Sequence, residues 1–274
     1  MRILVLGGKG KIGKALNRIA KGSDVEVIVH GKEDTDIRDK KAIRLAIENT
    51  KCDCVVNCAE LNDIDTIEHD SETSKKSIDV NIYGVRNILE EIDRKGIKFI
   101  QISSNMVLVS LDEYNTTKYF HITKYGNTKK VAEEITRDYD GAMILRVQDV
   151  YGDGYNLVKR LDGEMEKHSM MRVVNDQLVA PISADRVAMA IIKLAQEGKE
   201  GTYQLRGKKL YTRYELAEYI REKKGRSTYI ESVSSDAYMA YAKRPKRNIL
   251  DISSEFRDIM CGSENDLDIY IHNI

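Results

Sequence analysis

Ile3-Leu4-Val5-Leu6-Gly7-Gly8-Lys9-Gly10-Lys11-Ile12-Gly13 is the stretch that decides the fold of this 274-residue chain. Its first four residues are a short apolar run. The glycines break that run, and Ala15, Leu16, Ile19 and Ala20 then recur at helical spacing. Strand, glycine turn and helix in direct succession are the context that a dinucleotide fingerprint requires. Glycine lets the backbone turn tightly and approach a pyrophosphate, whose charge sits at the helix N-terminus. The spacing of Gly7, Gly10 and Gly13 is G-x-x-G-x-x-G, not G-x-G-x-x-G. A glycine turn that holds no ligand is the alternative for the stretch taken alone.

Further along the chain, Val25 to Val29 reads as a second strand, Cys54 to Cys58 as a third, Lys98 to Ile102 as a fourth and Ala142 to Val147 as a fifth. Helical patterns lie between them, from Lys40 to Asn49, from about Ser74 to Lys95, and from Tyr125 to about Tyr139. Asp36-Ile37-Arg38-Asp39 closes a loop and supplies the cap of the first of these helices. Residues 105 to 122 read as loop. Strands and helices alternating in this way predict an α/β fold, a Rossmann-like doubly wound parallel sheet with helices on both faces. Residues 1–150 are then a dinucleotide-binding domain, and the helix near 183–197, striped by Val187, Ala188, Ala190, Ile191 and Leu194, returns to it. Residues 151–182 and 198–274 are expected to form a smaller C-terminal α/β substrate-binding part, with helices near 155–168 and 213–224 and a strand at 202–205.

The formal net charge is zero and 32% of residues are charged, so electrostatics offer no case for a nucleic-acid or membrane partner. Lys243-Arg244-Pro245-Lys246-Arg247 is locally basic, and a polyanion patch is the alternative it leaves open. Four cysteines, at 52, 54, 58 and 261, read as reduced thiols, three of them in or beside a buried strand. No metal is expected, because no second ligand pair has zinc-like spacing. No window approaches the ~18 apolar residues of a membrane span, and no signal-peptide pattern opens the chain. A cytoplasmic protein is expected.

Tyr125-Gly126-Asn127-Thr128-Lys129 sets a tyrosine and a lysine four residues apart, on one face of a helix. A free phenol has a pKa of about 10, and a cation beside it favours the phenolate. The pair is therefore a candidate proton donor with its tuning charge, although a solvated helix face would carry the same two residues. Ser104 follows the fourth strand, at the end of the sheet where such folds hold their ligands. After the second strand stand His30-Gly31-Lys32, with no acid to meet a ribose 2′-hydroxyl. Basic groups there suit the 2′-phosphate of NADP, and Lys9, Lys11 and Lys32 are all within its reach. NADP is the expected cofactor, with NADPH preferred and NADH admitted.

With these residues in place, the chain resembles the extended short-chain dehydrogenases/reductases, and within them the dTDP-4-dehydrorhamnose reductase group. The matching stretches are Gly7 to Gly13, Val56-Asn57-Cys58-Ala59, Asp63-Ile64-Asp65 to Glu68, Val80-Asn81, Ser103-Ser104, Tyr125 to Lys129 and Arg146. Val150-Tyr151-Gly152, Val174-Asn175-Asp176-Gln177 with Ala180-Pro181, and Arg244-Pro245-Lys246 match further on. The resemblance implies that Ser104 holds a substrate carbonyl, Tyr125 donates the proton and Lys129 binds the nicotinamide ribose. It implies a cofactor site built from Gly7, Gly10, Lys11, Ile12, Gly13, His30, Lys32, Asp36, Ile37, Cys58, Ala59, Glu60, Asn81 and Ser103, with Asp36 and Ile37 at the adenine. It implies a sugar site of Ser104, Asn105, Asp149, Asn175 and Gln177.

Three departures from the group stand out. Ser103-Ser104-Asn105-Met106-Val107-Leu108 replaces Ser-Thr-Asp-Tyr-Val-Phe, Asp149 replaces a tryptophan, and the loop before Tyr125 lacks a proline-bearing sequence. Serine can serve as threonine does, whereas Asn105 removes a charge from the sugar site. The function implied is reduction of a nucleotide-activated 4-keto-6-deoxy sugar by NAD(P)H, for a surface glycan, with a homodimer as the expected assembly. The alternatives are a sugar-nucleotide epimerase or dehydratase and a non-catalytic NADP-binding subunit. Dehydratases carry an acid beside the Ser104 position, where this chain has Asn105.

Overall fold

The computed structural model describes residues 1–108 and 123–274. Most of the expected loop at 105–122, including the stretch without proline before Tyr125, lies outside the described residues. In chain order, β1 (Arg2–Leu6) leads into α1 (Lys11–Ile19), β2 (Glu26–His30) into α2 (Lys40–Thr50), and β3 (Cys54–Asn57) into α3 (Ile64–His69), α4 (Ser71–Ile78) and α5 (Gly84–Ile92). β4 (Lys98–Ser104) precedes α6 (Lys124–Arg137), and β5 (Ala142–Val147) with β6 (Val150–Tyr151) precedes α7 (Leu157–Lys167). There follow β7 (Met170–Val174), β8 (Leu178–Val179), β9 (Ile182–Ser183), α8 (Ala184–Glu197), β10 (Gly201–Leu205), β11 (Tyr211–Thr212), α9 (Arg213–Lys224), β12 (Tyr229–Val233) and α10 (Asp266–Asn273).

Six strands pair in the order β10-β5-β4-β3-β1-β2, every neighbour parallel. Successive side chains of a strand point to opposite faces, so β1 feeds two cores. Ile3 and Val5 pack with Ala15 and Leu16 of α1 and with Val187, Ile191 and Leu194 of α8. Leu4 and Leu6 pack with Ile43 and Ile47 of α2, Val85 and Ile88 of α5, and Ala132 of α6. Strands buried on both faces have to be apolar throughout, and these are, as the sequence pattern predicts. Residues 151–274 also hold a smaller core, where Val158, Leu161, Val173, Leu216, Ile220, Ile230 and Ile271 meet.

One boundary differs from the expectation. Gly201–Leu205, assigned to the substrate-binding part, adds to β5 as the edge strand of the main sheet. Tyr203 and Leu205 continue the buried face there, and Phe256 and Met260 join the same core. The helical pattern expected at 74–95 is interrupted by a π-turn at Asp79–Tyr83, between α4 and α5.

β1 pairs with β2 on one side and β3 on the other. The winding of the sheet reverses there, and the crevice beyond the ends of β1 and β3 is the place where such sheets bind ligands. Gly7 has φ +73°, and a Cβ on it would lie 2.5 Å from the Ala59 nitrogen. The loops leaving β1 and β3 therefore touch, and only glycine fits the contact.

Candidate active site

Three segments converge beside this crevice. β4 ends at Ser104, α6 carries Tyr125 and Lys129, and the loop after β3 carries Glu60. Thr123 caps α6 by accepting from the Gly126 N–H at 3.0 Å, which fixes where the first turn begins. The turn lies so close to the end of β4 that a Cβ on Gly126 would fall 2.5 Å from the Met106 carbonyl oxygen. That approach brings the Tyr125 ring, 4% exposed, against Ser104.

Lys129 is fully buried and paired. Its Nζ donates to the Ile102 carbonyl at 2.6 Å and to Glu60 Oε2 at 3.0 Å. The Tyr125 hydroxyl donates to the same Oε2 at 2.9 Å. Burial raises the Glu60 pKa, but the Lys129 charge and hydrogen bonds from Lys129, Asn62 and Tyr125 outweigh it, so Glu60 sits below its ordinary value. Tyr125 is held well above an ordinary phenol, first by burial and then by the charge and hydrogen bond of Glu60; Ser104 pulls the other way. Burial also lowers Lys11, against the field of Glu60.

The cofactor-side residues fit a dinucleotide. Gly10 is the N-cap of α1, no side chain caps the helix, and its first turn holds no acid. Its first N–H groups are thus available to a pyrophosphate. A Cβ on Gly13 would meet the Gly8 carbonyl oxygen at 2.3 Å, so helix and loop pack backbone to backbone. Ile12 packs against the α1 side of the core, and Cys58, its thiol pushed up to about 12 by burial and then by Glu60, follows β3. His30 ends β2 and its Nδ1 meets Thr35 Oγ1 at 2.9 Å, while Lys32 is exposed beside it. Asp36 is held below the ordinary carboxylate range by Arg38, which grips it through its guanidinium.

Several expected site residues turn their side chains elsewhere. Ser103 donates to buried Glu133 at 2.6 Å, because neighbours on β4 face opposite sides of the sheet. Asn81 is a clamp in the π-turn: it accepts from Leu61 N and donates to Leu61 O and Thr128 Oγ1. Ile37 is buried in the gap over Gly84. Lys9 lies over Gly31 at the end of β2 but is paired there with Glu33, and Lys11 donates to the Tyr155 carbonyl at 3.0 Å, away from that strand end. Asn175 donates to Ser232 Oγ at 2.8 Å, between β7 and β12.

A cleft of about 200 Å³ opens in front of Ser104 and Tyr125. Asn105, Asp149 and Gln177 line it, and Asn62, Arg213, Arg244 and Asn248 join them. Asp149 sits at φ +49° and accepts from the Ala180 N–H at 2.9 Å. Burial raises its pKa, and burial lowers Arg213 to about 10 with Asp149 opposing. Arg244 is not part of an open basic patch: it grips Asp65 at 3.1 and 2.5 Å. Lys246 pairs with Asp176 and Asp236. A second cleft, walled by Pro181, Lys208, Tyr211, Tyr219 and Leu267, holds none of the Ser104, Tyr125 or Lys129 groups.

Two findings went beyond the sequence reading. Glu133, fully buried on α6, takes Ser103, Arg137 and Arg146, the last through both Nε and a terminal nitrogen. In the sequence Arg146 is only a matching residue, and the i, i+4 spacing of Glu133 and Arg137 is the one legible signal of the cluster. Arg213 carried no signal at all.

The chain is similar to known proteins along most of its length. The family model described as the RmlD substrate binding domain matches residues 1–263. The spore coat polysaccharide biosynthesis protein SpsK of Bacillus subtilis (strain 168) is 30% identical over 257 residues, 91% of this chain and 88% of that one. The crystal structure of a dTDP-4-dehydrorhamnose reductase from Clostridium acetobutylicum ATCC 824 superposes with a TM-score of 0.88 at 26% identity, covering 100% of this chain and 99% of that one. A dTDP-4-dehydrorhamnose reductase from Bacillus anthracis str. Ames, in complex with NADP, has a TM-score of 0.83 at 22% identity, with 92% and 90% covered.

Proposed function

The chain belongs to the family of the RmlD substrate binding domain, and on that premise we propose that it is an NADPH-dependent reductase of a nucleotide-activated 4-keto-6-deoxy sugar. The observation that carries the reading is the convergence of Ser104, Tyr125 and Lys129 between a dinucleotide cradle and a polar cleft. The similar Clostridium protein bears the name of that activity, and the similar Bacillus anthracis structure holds NADP.

Ser104 Oγ presents a hydroxyl to the substrate carbonyl. The Tyr125 hydroxyl passes its proton to the carbonyl oxygen as charge develops there. Lys129, tied to the Ile102 carbonyl, holds its remaining N–H for a ribose and stabilises the phenolate as it forms. The α1 N-terminus takes the pyrophosphate, and His30 and Lys32 stand where a 2′-phosphate would lie. The bound cofactor supplies the hydride to the carbonyl carbon. On the sugar side, Asn105, Asp149 and Gln177 offer polar groups to the ring hydroxyls. Asn105 donates to the Asn248 carbonyl at 2.9 Å and brings no acid to the reacting carbon, which speaks against dehydration.

We place the protein in the cytosol, on the ground that its cysteines stand unpaired as reduced thiols do. No described helix is long and apolar enough to cross a membrane. The test is a panel of 4-keto sugar nucleotides incubated with protein and NADPH, followed by absorbance of the reduced nicotinamide. Oxidation with a thymidine-linked 4-keto-6-deoxy sugar is the expected result. No oxidation with any member of the panel, by protein that binds NADPH, would favour the binding-subunit alternative.

A further inference from the structure

Glu60 stands on the Tyr125–Lys129 pair, yet the reduction set out above makes no use of it. Its Oε2 accepts from the phenol at 2.9 Å and from the ammonium at 3.0 Å, and its Oε1 accepts from Asn62 Nδ2 at 2.8 Å. The groups facing it are Tyr125 and Lys129 from α6, Lys11 from α1, and Asn62 and Cys58 from its own loop. Lys129 alone beside Tyr125 would favour the phenolate. The carboxylate between them reverses that bias. A hydrogen bond from phenol to carboxylate exists only while the phenol keeps its proton, and a phenolate there would face a negative charge at contact distance.

We propose that Glu60 is a positioning residue for this reaction: shared between phenol and ammonium, it locks Tyr125 as a protonated donor and extends to higher pH the range over which the site reduces a carbonyl. The proposal rests on the reductase reading. Reduction starts from the phenol and delivers its proton to the carbonyl oxygen; the phenolate left behind recovers a proton from water in the cleft. Oxidation of the alcohol starts from the phenolate, which must accept the alcohol proton. Glu60 leaves the overall equilibrium untouched and sets the pH range in which each direction runs. Burial and the Glu60 charge both act on Tyr125 in this sense.

The experiment has two arms. In the first, the protein is labelled with ring-13C tyrosine and titrated by NMR without cofactor or substrate, the Tyr125 signal being assigned by its loss in Tyr125→Phe. In Glu60→Gln, which keeps the shape and an acceptor oxygen, the Tyr125 midpoint should move to lower pH. An unmoved midpoint, or one moved upward, overturns the proposal. Glu60→Ala, read the same way, serves if the Gln variant does not fold. In the second arm, NADPH oxidation is followed against pH with the substrate found by the panel. The rate in Glu60→Gln should fall about tenfold per pH unit above its lowered midpoint, where wild type is still flat. Superimposable profiles overturn the proposal. If wild type reduces no sugar nucleotide, the reductase reading fails, and the titration still decides what Glu60 does to Tyr125.

Discussion

Replacing Lys129 by Met keeps the buried stem and removes the ammonium, so it tests how the site is held together. The Lys129 side chain is 2% exposed and that of Glu60 25%. Removing one partner of a buried ion pair typically costs about 3–5 kcal/mol, because the other charge stays behind uncompensated. Water reaches part of Glu60, which places the expected loss at the lower end, about 3 kcal/mol. In a chain of this size that lowers the melting temperature by roughly 6–12 °C. Neutralising both partners, as Glu60→Gln with Lys129→Met, removes the stranded charge and should recover about half of the loss. The pH dependence has a definite sign. Glu60 has a lowered folded pKa, so the pair stabilises above the unfolded carboxylate range, and this stability is lost as pH falls through the folded value. The gap between wild type and Lys129→Met should therefore narrow in acid. Urea unfolding of the four proteins of the cycle, at neutral and acid pH, measures all of this. A Lys129→Met loss below about 1 kcal/mol, or a double variant as unstable as the sum of the singles, would refute the buried pair as described.

Two further outcomes are expected. Gly10→Val should fold, since a Cβ there meets only the Gly7 carbonyl oxygen, at 3.2 Å, yet its branched side chain crowds the approach of a pyrophosphate; calorimetry should find NADPH bound at least about tenfold more weakly, and unchanged affinity would count against the cradle. NADPH should bind about ten- to hundredfold more tightly than NADH through His30 and Lys32, with Lys32→Ala narrowing the difference, and a titration showing NADH equal or better contradicts the 2′-phosphate site.

The sheet was legible because its strands are buried on both faces. Ile3 to Leu6, Cys54 to Val56 and Ala142 to Val147 admit few polar residues, so their apolar runs announce them. One helix start was legible because a side chain caps it, as Asp39 does for α2, whereas the cap of α6 by Thr123 emerges only from the fold. The partner of a strand is a different matter. Gly201–Leu205 reads as a strand in isolation, but nothing local says that it pairs with β5 instead of a strand of the smaller unit. The same limit applies to the site. Tyr125 and Lys129 face one another by helical spacing alone, whereas Glu60 reaches them across 65 and 69 residues. Asp65 and Arg244 each lie in a stretch that matches the family, and their ion pair, 179 residues apart in sequence, emerges only from the fold. Ser103 and Asn81 were expected at the cofactor because they match the family pattern; a matching residue can equally hold the frame, as their bonds to Glu133 and Leu61 do.

The role proposed for Tyr125 is that of proton donor in a sugar-nucleotide reductase. Tyr125→Phe keeps the ring, buried against Ser104, and removes only the hydroxyl. The direct measurement is the steady-state rate of NADPH oxidation by wild type and by Tyr125→Phe with the same 4-keto-6-deoxy sugar nucleotide, with NADPH affinity measured beside it. The variant should be about 100- to 10,000-fold slower while binding NADPH as wild type does, since Lys129 and the α1 N-terminus remain. A wild type that turns over the substrate and a Phe variant within about threefold of it would contradict the assignment of the acid.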